Sequence, residues 1–246
     1  MLTSSLTELI DFIYAGIDSI PPPPADFFLN RTILAPHNVN VSDTKDIVLE
    51  WMSGQTETFI SADKVIDEGH TVPEQNQIPI PVEFLQTINT ASLPPSELML
   101  KIGCPLILLH NLAPSRGLCN GTRMILRRMS GCVLEVQLIG GDHDGEIAFI
   151  PRISLTPTDT GEIAFRFSRR QFPVRLVFAM TINKAQGQSV KYVGLDLRVP
   201  VFGHGQLYVA LSRTTSGQRV KVLLSEPDAL KTTNVVYTDV LLSPTA

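Results

Sequence analysis

The feature that most constrains the fold is an alternation of short apolar strands and helices in the last third of the chain. Strand-length apolar runs occur there at 175–180, 193–197 and 220–224. A helical pattern covers 205–213, with its apolar residues on one face. Strands and helices that alternate with short links are typical of a parallel α/β sheet. A strand over 32–35 and a helix over 41–52 repeat the pattern, so we predict that they belong to the same sheet.

The middle of the chain has a different pattern. A proline-rich stretch over 53–97 carries few periodic runs and reads as a long connection between domains. Short strands separated by turns follow it, at 105–110, 122–128, 133–139 and 146–150. Strands at this spacing predict a small β-barrel or sandwich. We therefore predict an α/β domain in two parts, 1–83 and 168–246, interrupted by an inserted β domain over 84–167.

Cysteine and histidine usage argues against a disulfide framework and against a structural metal. The cysteines are Cys104, Cys119 and Cys132, an odd number without CxxC pairing, which fits a reducing compartment. The 5 histidines are scattered and show no zinc-ligand spacing. No apolar run reaches the roughly 18–20 residues that cross a bilayer, so no membrane partner is expected.

The net charge of −4 conceals an uneven distribution along the chain. Residues 1–100 hold 3 basic and 14 acidic residues, a net charge of −11. Residues 101–221 hold 16 basic and 7 acidic residues, a net charge of +9, here called the basic block. A polyanion responds to a local basic surface, so the basic block permits nucleic-acid binding. Arginines on ordinary solvated strands would give the same count.

Two polar segments follow strands of the predicted sheet, where open α/β sheets bind their ligands. The loop 181–188 gathers hydroxyl, amide and ammonium groups around a glycine and suits phosphate contacts. An ordinary strand-to-helix turn with a capping threonine accounts for the loop equally well. The helix over 205–213 ends at Arg213, whose planar guanidinium suits a phosphate but also complements a helix dipole.

These segments resemble a known family. FAMTINKAQGQSV (178–190) and VFGHGQLYVALSRT (201–214) resemble motifs V and VI of superfamily-one DNA helicases of the petite-integration-frequency (Pif) type, which include Helitron helicases. RTILAPHNVNV (31–41) is similar to motif IV of that family. LPPSELMLKIGCPLILLHNLAPSRGLCNGTRM (93–124) resembles its 2B insertion, a β-barrel of the Src-homology type. The resemblance extends over nearly the whole chain.

The resemblance implies both a fold and a set of roles. The fold would be a RecA-like parallel sheet, the second motor domain of a P-loop helicase, with an inserted small β-barrel. Arg213 would be an arginine finger that stabilises charge on the γ-phosphate. The implied nucleotide-binding residues are Gln206, Tyr208, Gly187 and Lys184. The implied DNA-binding residues are Pro36, His37, Asn38, Thr181, Asn183 and Gln186.

The chain departs from the family in the motifs that hold nucleotide and metal. GxxxxGK[ST] is absent, and no Asp-Glu pair follows an apolar strand. We therefore expect ATP and Mg²⁺ to be held mainly by an N-terminal RecA-like domain that this sequence does not contain. No metal ligands are assigned to the chain itself, and we expect it to hydrolyse no ATP alone.

The function that the resemblance implies is that of the C-terminal motor half of an ATP-dependent 5′–3′ DNA helicase. Such a motor serves DNA repair, recombination, telomere maintenance or transposition. Its partners would be single-stranded DNA and the N-terminal RecA-like domain, in the nucleus or alternatively the mitochondrion. A non-catalytic single-stranded-DNA-binding module and a degenerate helicase fragment are the alternative interpretations.

Overall fold

The computed structural model describes residues 2–66, 80–90, 92–158, 165–226 and 229–238. They form two compact units, each described here by itself. The first unit comprises the described residues up to Ser53 and from Val177 onward. The second unit comprises those between Gly54 and Leu176.

Helices and strands alternate in the first unit, and strands predominate in the second. The described helices are α1 (Leu6–Tyr14), α2 (Ala25–Leu29), α3 (Asn38–Trp51), α4 (Val82–Thr87) and α5 (Gln206–Leu211). The described strands up to residue 108 are β1 (Leu2–Thr3), β2 (Arg31–Ala35), β3 (Glu57–Ile60), β4 (Ala62–Val65), β5 (Glu97–Leu100) and β6 (Pro105–Leu108). The later ones are β7 (Arg123–Met129), β8 (Val133–Ile139), β9 (Ile147–Pro151), β10 (Ile153–Leu155), β11 (Phe167–Gln171), β12 (Val174–Leu176), β13 (Ala179–Thr181), β14 (Tyr192–Leu197) and β15 (Val220–Leu224). Short 3₁₀ turns cover Pro114–Arg116, Ile182–Ala185 and Gly217–Arg219.

The first unit is built on a five-stranded parallel sheet, in the order β1-β15-β14-β2-β13. Its central strands carry continuous apolar runs because both faces are covered, as parallel sheets require. Ile33, Leu34, Val193 and Leu195 are all fully buried. The predicted α/β fold with a parallel sheet is confirmed, and the N-terminal β2–α3 pair belongs to it as expected.

Helix α1 packs against this sheet through a glycine. A Cβ on Gly194 of β14 would lie 3.0 Å from an Ile13 side-chain carbon and 3.2 Å from one of Leu9, so a larger residue would require these side chains to shift. The helix begins at Ser5, whose hydroxyl accepts a 3.2 Å hydrogen bond from the Glu8 N–H. Apolar residues at helical spacing over 6–20 predict one helix, whereas α1 ends at Tyr14.

The second unit is antiparallel. Its sheets run in the orders β12-β6-β7-β8-β9, β10-β11-β4 and β3-β5. Two strands of the first sheet, β8 and β9, alternate buried with more exposed residues, as in β9, where Ala148 and Ile150 are buried and Phe149 is exposed. The prediction of a strand-rich insertion is confirmed in this respect, because sheets with one solvated face leave period-two alternation in the sequence.

The stretch 53–97 is not the irregular connection that its prolines indicate. It contributes β3, β4, α4 and the start of β5, and β4 pairs with β11. Hydrogen bonds from two arginines, rather than a periodic row of apolar residues, hold this stretch in place. Arg169 donates to the carbonyl oxygens of Leu85 at 2.8 Å, Ile88 at 3.1 Å and Pro94 at 3.2 Å. Arg175 donates to those of Thr90 and Leu93. Hydrogen bonds to backbone carbonyls leave no periodic signature in the sequence they hold.

The apolar run 175–180 is not one strand. Its first residues lie in β12, which pairs antiparallel with β6, and its last lie in β13, which pairs parallel with β2. The chain changes unit between Leu176 and Val177. Both segments are apolar and mostly buried, so hydrophobicity does not mark the change. By their strand pairing, 54–66 and 168–176 lie in the second unit rather than in the flanking domain that the sequence predicts.

In the part of the chain that the structure describes, no helix is both long and apolar enough to cross a bilayer.

Candidate functional site

Loops from three strands of the first unit meet at one edge of the parallel sheet. The strands are β2, β14 and β13, and their register pairs Leu34 with Leu195 and Ala35 with Thr181. Parallel strands in register end at the same edge, so the loops that follow them share one surface, here called the carboxyl edge. This is where open α/β sheets bind ligands. The predicted site residues 36–38, 181–187 and 206 all follow these strands.

The loop after β13 is a short turn with a mixed pattern of burial. Ile182 and Ala185 are buried and fix the turn, whereas Asn183, Lys184 and Gln186 are exposed. Gly187 has a φ of +81°, a backbone conformation that side-chain-bearing residues rarely adopt. The sequence predicts that this loop runs into a helix, but the 3₁₀ turn leads directly towards β14.

Gln206 at the start of α5 joins this turn to the loop after β14. Its side chain is 3% exposed. The side-chain oxygen accepts from the backbone N–H groups of Phe202 at 3.0 Å and Gly203 at 3.4 Å. Its nitrogen donates to Asn183 Oδ1 at 3.3 Å. A residue assigned to nucleotide binding therefore contacts one assigned to DNA binding directly.

Arg213 lies beyond the end of α5, half-buried, with its guanidinium bonded inside its own unit. Nε donates to Val209 O at 2.7 Å, and Nη1 donates to Ala185 O at 3.3 Å and Gln188 O at 2.9 Å. Nη2 donates to Ser212 Oγ at 2.7 Å. Arg213 thus closes the end of its helix, which is the alternative to the arginine finger, and it also bonds the turn after β13. The role of Arg213 as an arginine finger stays a prediction.

The residues after β2 include one aromatic contact that the sequence does not reveal. Pro36 is buried, and Asn38 is exposed at the first position of α3. His37 occupies the position before the helix but caps no N–H group. Its ring packs against that of Phe202 in a tilted arrangement, with 4.8 Å between centroids and 32° between planes. The lone phenylalanine between Pro200 and Gly203 is the only sequence signal for this pair.

Two more residues lie near this edge, one that the sequence predicts for the site and one that it does not. Tyr208, assigned to the nucleotide, is 75% exposed on the outer face of α5. Asp196, which sequence reasoning missed, is fully buried near the end of β14. Arg198 donates to its two carboxylate oxygens at 2.9 and 2.8 Å, and these bonds raise the pKa of the Arg198 guanidinium. The signal for Asp196 would have been a single acid inside a buried strand.

The basic block is less basic at the surface than its net charge of +9 indicates. Arg169 is fully buried against Asp63, with 2.7 Å between Nη2 and Oδ2. Burial lowers the pKa of Arg175, and Arg198 and Arg213 are bonded within their unit. Exposed members remain on both units, among them Arg127 and Arg170 on the second and Lys191 on the first. The described residues include no cluster of three His, Cys, Asp or Glu side chains that could hold a metal ion.

The chain is similar in sequence to known proteins over much of its length. The family model of the DNA helicase Pif1 2B domain matches residues 83–129. The human ATP-dependent DNA helicase PIF1 is 35% identical over 153 residues, which cover 61% of this chain and 23% of that protein. The mouse protein is 30% identical over 209 residues, 81% of this chain and 28% of that protein. The chain thus spans about a quarter of these relatives' length.

Solved structures show the same fold. A crystal structure of Bacteroides Pif1 bound to single-stranded DNA is 18% identical, with a TM-score of 0.62 over 95% of this chain and 52% of that one. Candida albicans Pif1 is 22% identical, with a TM-score of 0.57 over 88% of this chain and 53% of that one. Over the part that these matches cover, the chain is similar to Pif1-type DNA helicases.

Proposed function

We propose that this chain is the C-terminal motor half of an ATP-dependent 5′–3′ DNA helicase. The relatives are named ATP-dependent DNA helicases, and one structural neighbour is bound to single-stranded DNA. The observation that carries the proposal is the hydrogen bond from Gln206 to Asn183. It connects the helix that would face nucleotide with the turn that would face DNA, as a motor requires.

The residues of the carboxyl edge fit half of a nucleotide site rather than a complete one. Lys184, Gln186 and Gly187 provide an ammonium, an amide and an accessible backbone within one exposed turn. The metal ligands and the phosphate-binding lysine would come from the N-terminal RecA-like domain. ATP bound there with Mg²⁺ would supply the free energy of each step through its hydrolysis.

This chain's own contribution would be to sense that nucleotide and to shift on DNA. Arg213 would exchange its carbonyl partners for phosphate oxygens, since both accept from a guanidinium. Because Arg213 also holds Ala185 and Gln188, this exchange would release the turn after β13. Gln206 would then transmit the movement to Phe202 and Asn183, which changes the populations of DNA contacts at the carboxyl edge. DNA repair, recombination, telomere maintenance and transposition, in the nucleus or mitochondrion, are the processes such a motor would serve.

One observation favours a second candidate, a non-catalytic single-stranded-DNA-binding module. Four of the five N–H donors of Arg213 already have acceptors in its own unit, so the finger is not required to explain its position. A binding module needs the basic surface and the carboxyl edge but no nucleotide.

Two measurements test these proposals. Fluorescence anisotropy of a labelled oligothymidine should show binding by the 246-residue chain that weakens with salt, with a log–log slope of about −0.7 for each phosphate contacted. Adding the N-terminal RecA-like domain should give DNA-stimulated ATP hydrolysis of about 1 per second or more. DNA binding without hydrolysis in the combined protein would select the binding module, and no binding at any salt concentration would contradict both.

A further inference from the structure

The rings of His37 and Phe202 form a tilted aromatic pair in the first unit, with 4.8 Å between their centroids. Phe202 is 54% exposed although its ring packs against that of His37. The other pairs of this unit that involve phenylalanine include a buried or mostly buried ring, such as Phe28 with Phe178, which are 4% and 0% exposed. Burial of a phenylalanine side chain stabilises a fold, and Phe202, being exposed, forgoes much of this stabilisation.

The exposed position of Phe202 is fixed by its loop. Gln206 accepts from the N–H groups of Phe202 and Gly203, and Gln206 itself is buried. Val201, immediately before, is 5% exposed and anchors the loop in the core. The backbone on both sides of the ring is therefore held, so the ring remains at the surface without collapsing onto the sheet.

The pair also lies where a ligand would reach it. His37 follows β2 and Phe202 lies in the loop after β14, and these neighbouring parallel strands end at the carboxyl edge. Val39, two residues after His37, is 71% exposed and extends the apolar surface along the chain. Exposed aromatic side chains are the surface on which single-stranded nucleic acids stack their bases.

We propose that the His37–Phe202 pair is a stacking platform for a nucleobase of single-stranded DNA, with Phe202 as the ring that contacts the base. The inference rests on the proposed function and adds a binding residue to it. Stacking does not discriminate among bases, because every base has a π-face, which suits a motor that moves along any sequence. The adenine of ATP offers the same chemistry, and the experiment distinguishes the two sources.

The test compares Phe202→Leu with a matched control, Phe149→Leu. Phe149 is 60% exposed on β9 of the second unit, so both substitutions remove an equally accessible ring and keep an apolar side chain. The probe is a fluorescein-labelled oligothymidine within the roughly 4–16 nucleotides of a single binding surface. Loss of one stacked base raises Kd by about 5- to 150-fold, so we expect this for Phe202→Leu and no change for Phe149→Leu.

A second probe and a second variant separate base stacking from phosphate contacts and from support of the loop. On an abasic strand of equal length, Phe202→Leu and the unmodified chain should bind equally, because the phosphates are present and the bases are not. Phe202→Trp retains an aromatic ring and should bind the oligothymidine at least as tightly as the unmodified chain. This variant also decides the matter if Phe202→Leu fails to fold, since loss of binding by a folded Phe202→Trp would overturn the platform.

The outcomes separate this inference from the proposed function. Equal oligothymidine affinities for the unmodified chain and Phe202→Leu would overturn the platform and leave the proposed function standing. An equal loss on the abasic strand would also overturn it, since Phe202 would then support the loop rather than stack. Weaker binding of a labelled ATP analogue by the protein combined with its N-terminal RecA-like domain, with unchanged DNA binding, would assign the ring to adenine and overturn the DNA platform. No DNA binding by the unmodified chain would overturn both.

Discussion

The side chains of Gln206 and Asn183 form a 3.3 Å hydrogen bond between helix α5 and the turn after β13. The same glutamine accepts from two backbone N–H groups of the preceding loop. One buried amide thus connects three segments that lie up to 23 residues apart in sequence. Its chemistry is specific, because only a side chain with both a donor and an acceptor can make all three bonds.

Substitution Gln206→Leu should destabilise the first unit. It leaves the N–H groups of Phe202 and Gly203 without their acceptor, at a cost of about 1–3 kcal/mol for unsatisfied buried groups. Denaturant unfolding measures this as a lower midpoint. Gln218 is exposed in the same unit, and Gln218→Leu should stay within about 0.5 kcal/mol. Equal midpoints for the two variants would contradict the role of Gln206.

In the second unit, the buried side chain of Arg169 likewise connects several segments by hydrogen bonds, and its loss should lower the free energy of unfolding more than the loss of Gln206. Its five N–H donors all have acceptors, which are the Asp63 carboxylate and three carbonyl oxygens. Arg169→Met leaves Asp63 buried and uncompensated, so we expect a loss of about 3–5 kcal/mol in the free energy of unfolding.

The matched control for Arg169 is Arg128, whose pair with Glu135 has an arginine side chain that is 80% exposed. Arg128→Met should cost only about 0–1 kcal/mol because solvent screens the pair. Chemical unfolding followed by circular dichroism compares the two. An Arg169→Met loss as small as that of Arg128→Met would show that the buried network does not hold the 80–94 segment.

The cysteines give a prediction on thiol reactivity. Burial raises the pKa of the Cys104 thiol to about 12, and Cys104 is fully buried, whereas Cys132 is exposed. The thiolate is the reactive form, so at pH 8 a disulfide reagent should modify Cys132 and spare Cys104 in the folded chain. Mass spectrometry of the labelled peptides measures this. Modification of Cys104 at the rate seen in denaturant would contradict its burial.

The same thiol makes stability depend on pH in the alkaline range. A folded-state pKa above the unfolded value means that the folded chain retains the proton longer. The contribution is fully present below about pH 8.5, the usual cysteine pKa, and is lost as pH rises towards 12. Between pH 8 and 11 the free energy of unfolding should therefore fall more for the unmodified chain than for Cys104→Ala. Parallel curves for the two proteins would refute this.

The parts of the fold that depend on apolar patterns could be predicted from the sequence, and the parts that depend on buried polar bonds could not. The parallel strands β14 and β15 and the strands β7 and β8 lie within two residues of their predicted bounds. The folded segments of 54–97 were missed because Arg169 and Arg175 hold them through backbone carbonyls. At the site, resemblance identified Gln206 and Asn183 but not Phe202, whose significance lies in a contact with His37 that is 165 residues distant.

The last prediction concerns Arg213. Its guanidinium is hydrogen-bonded within its own unit, whereas the proposed function assigns it a catalytic role. Its loss in Arg213→Ala removes bonds to Val209, Ala185 and Gln188, so we expect a moderate loss of stability in the isolated chain, about 1–3 kcal/mol. In the helicase with its N-terminal domain, the same variant should lower ATP turnover per folded molecule by a factor on the order of 10³ or more.

Arg213→Lys and Arg219→Ala complete this test. Lysine keeps the charge but lacks the planar fork, so Arg213→Lys should recover part of the stability and little of the turnover. Arg219 is exposed in the same unit, and its removal should leave turnover unchanged. Stopped-flow phosphate release, normalised to the folded fraction from melting curves, measures all three variants. If Arg213→Ala melts at a lower temperature but retains turnover per folded molecule, Arg213 closes a helix and is not an arginine finger.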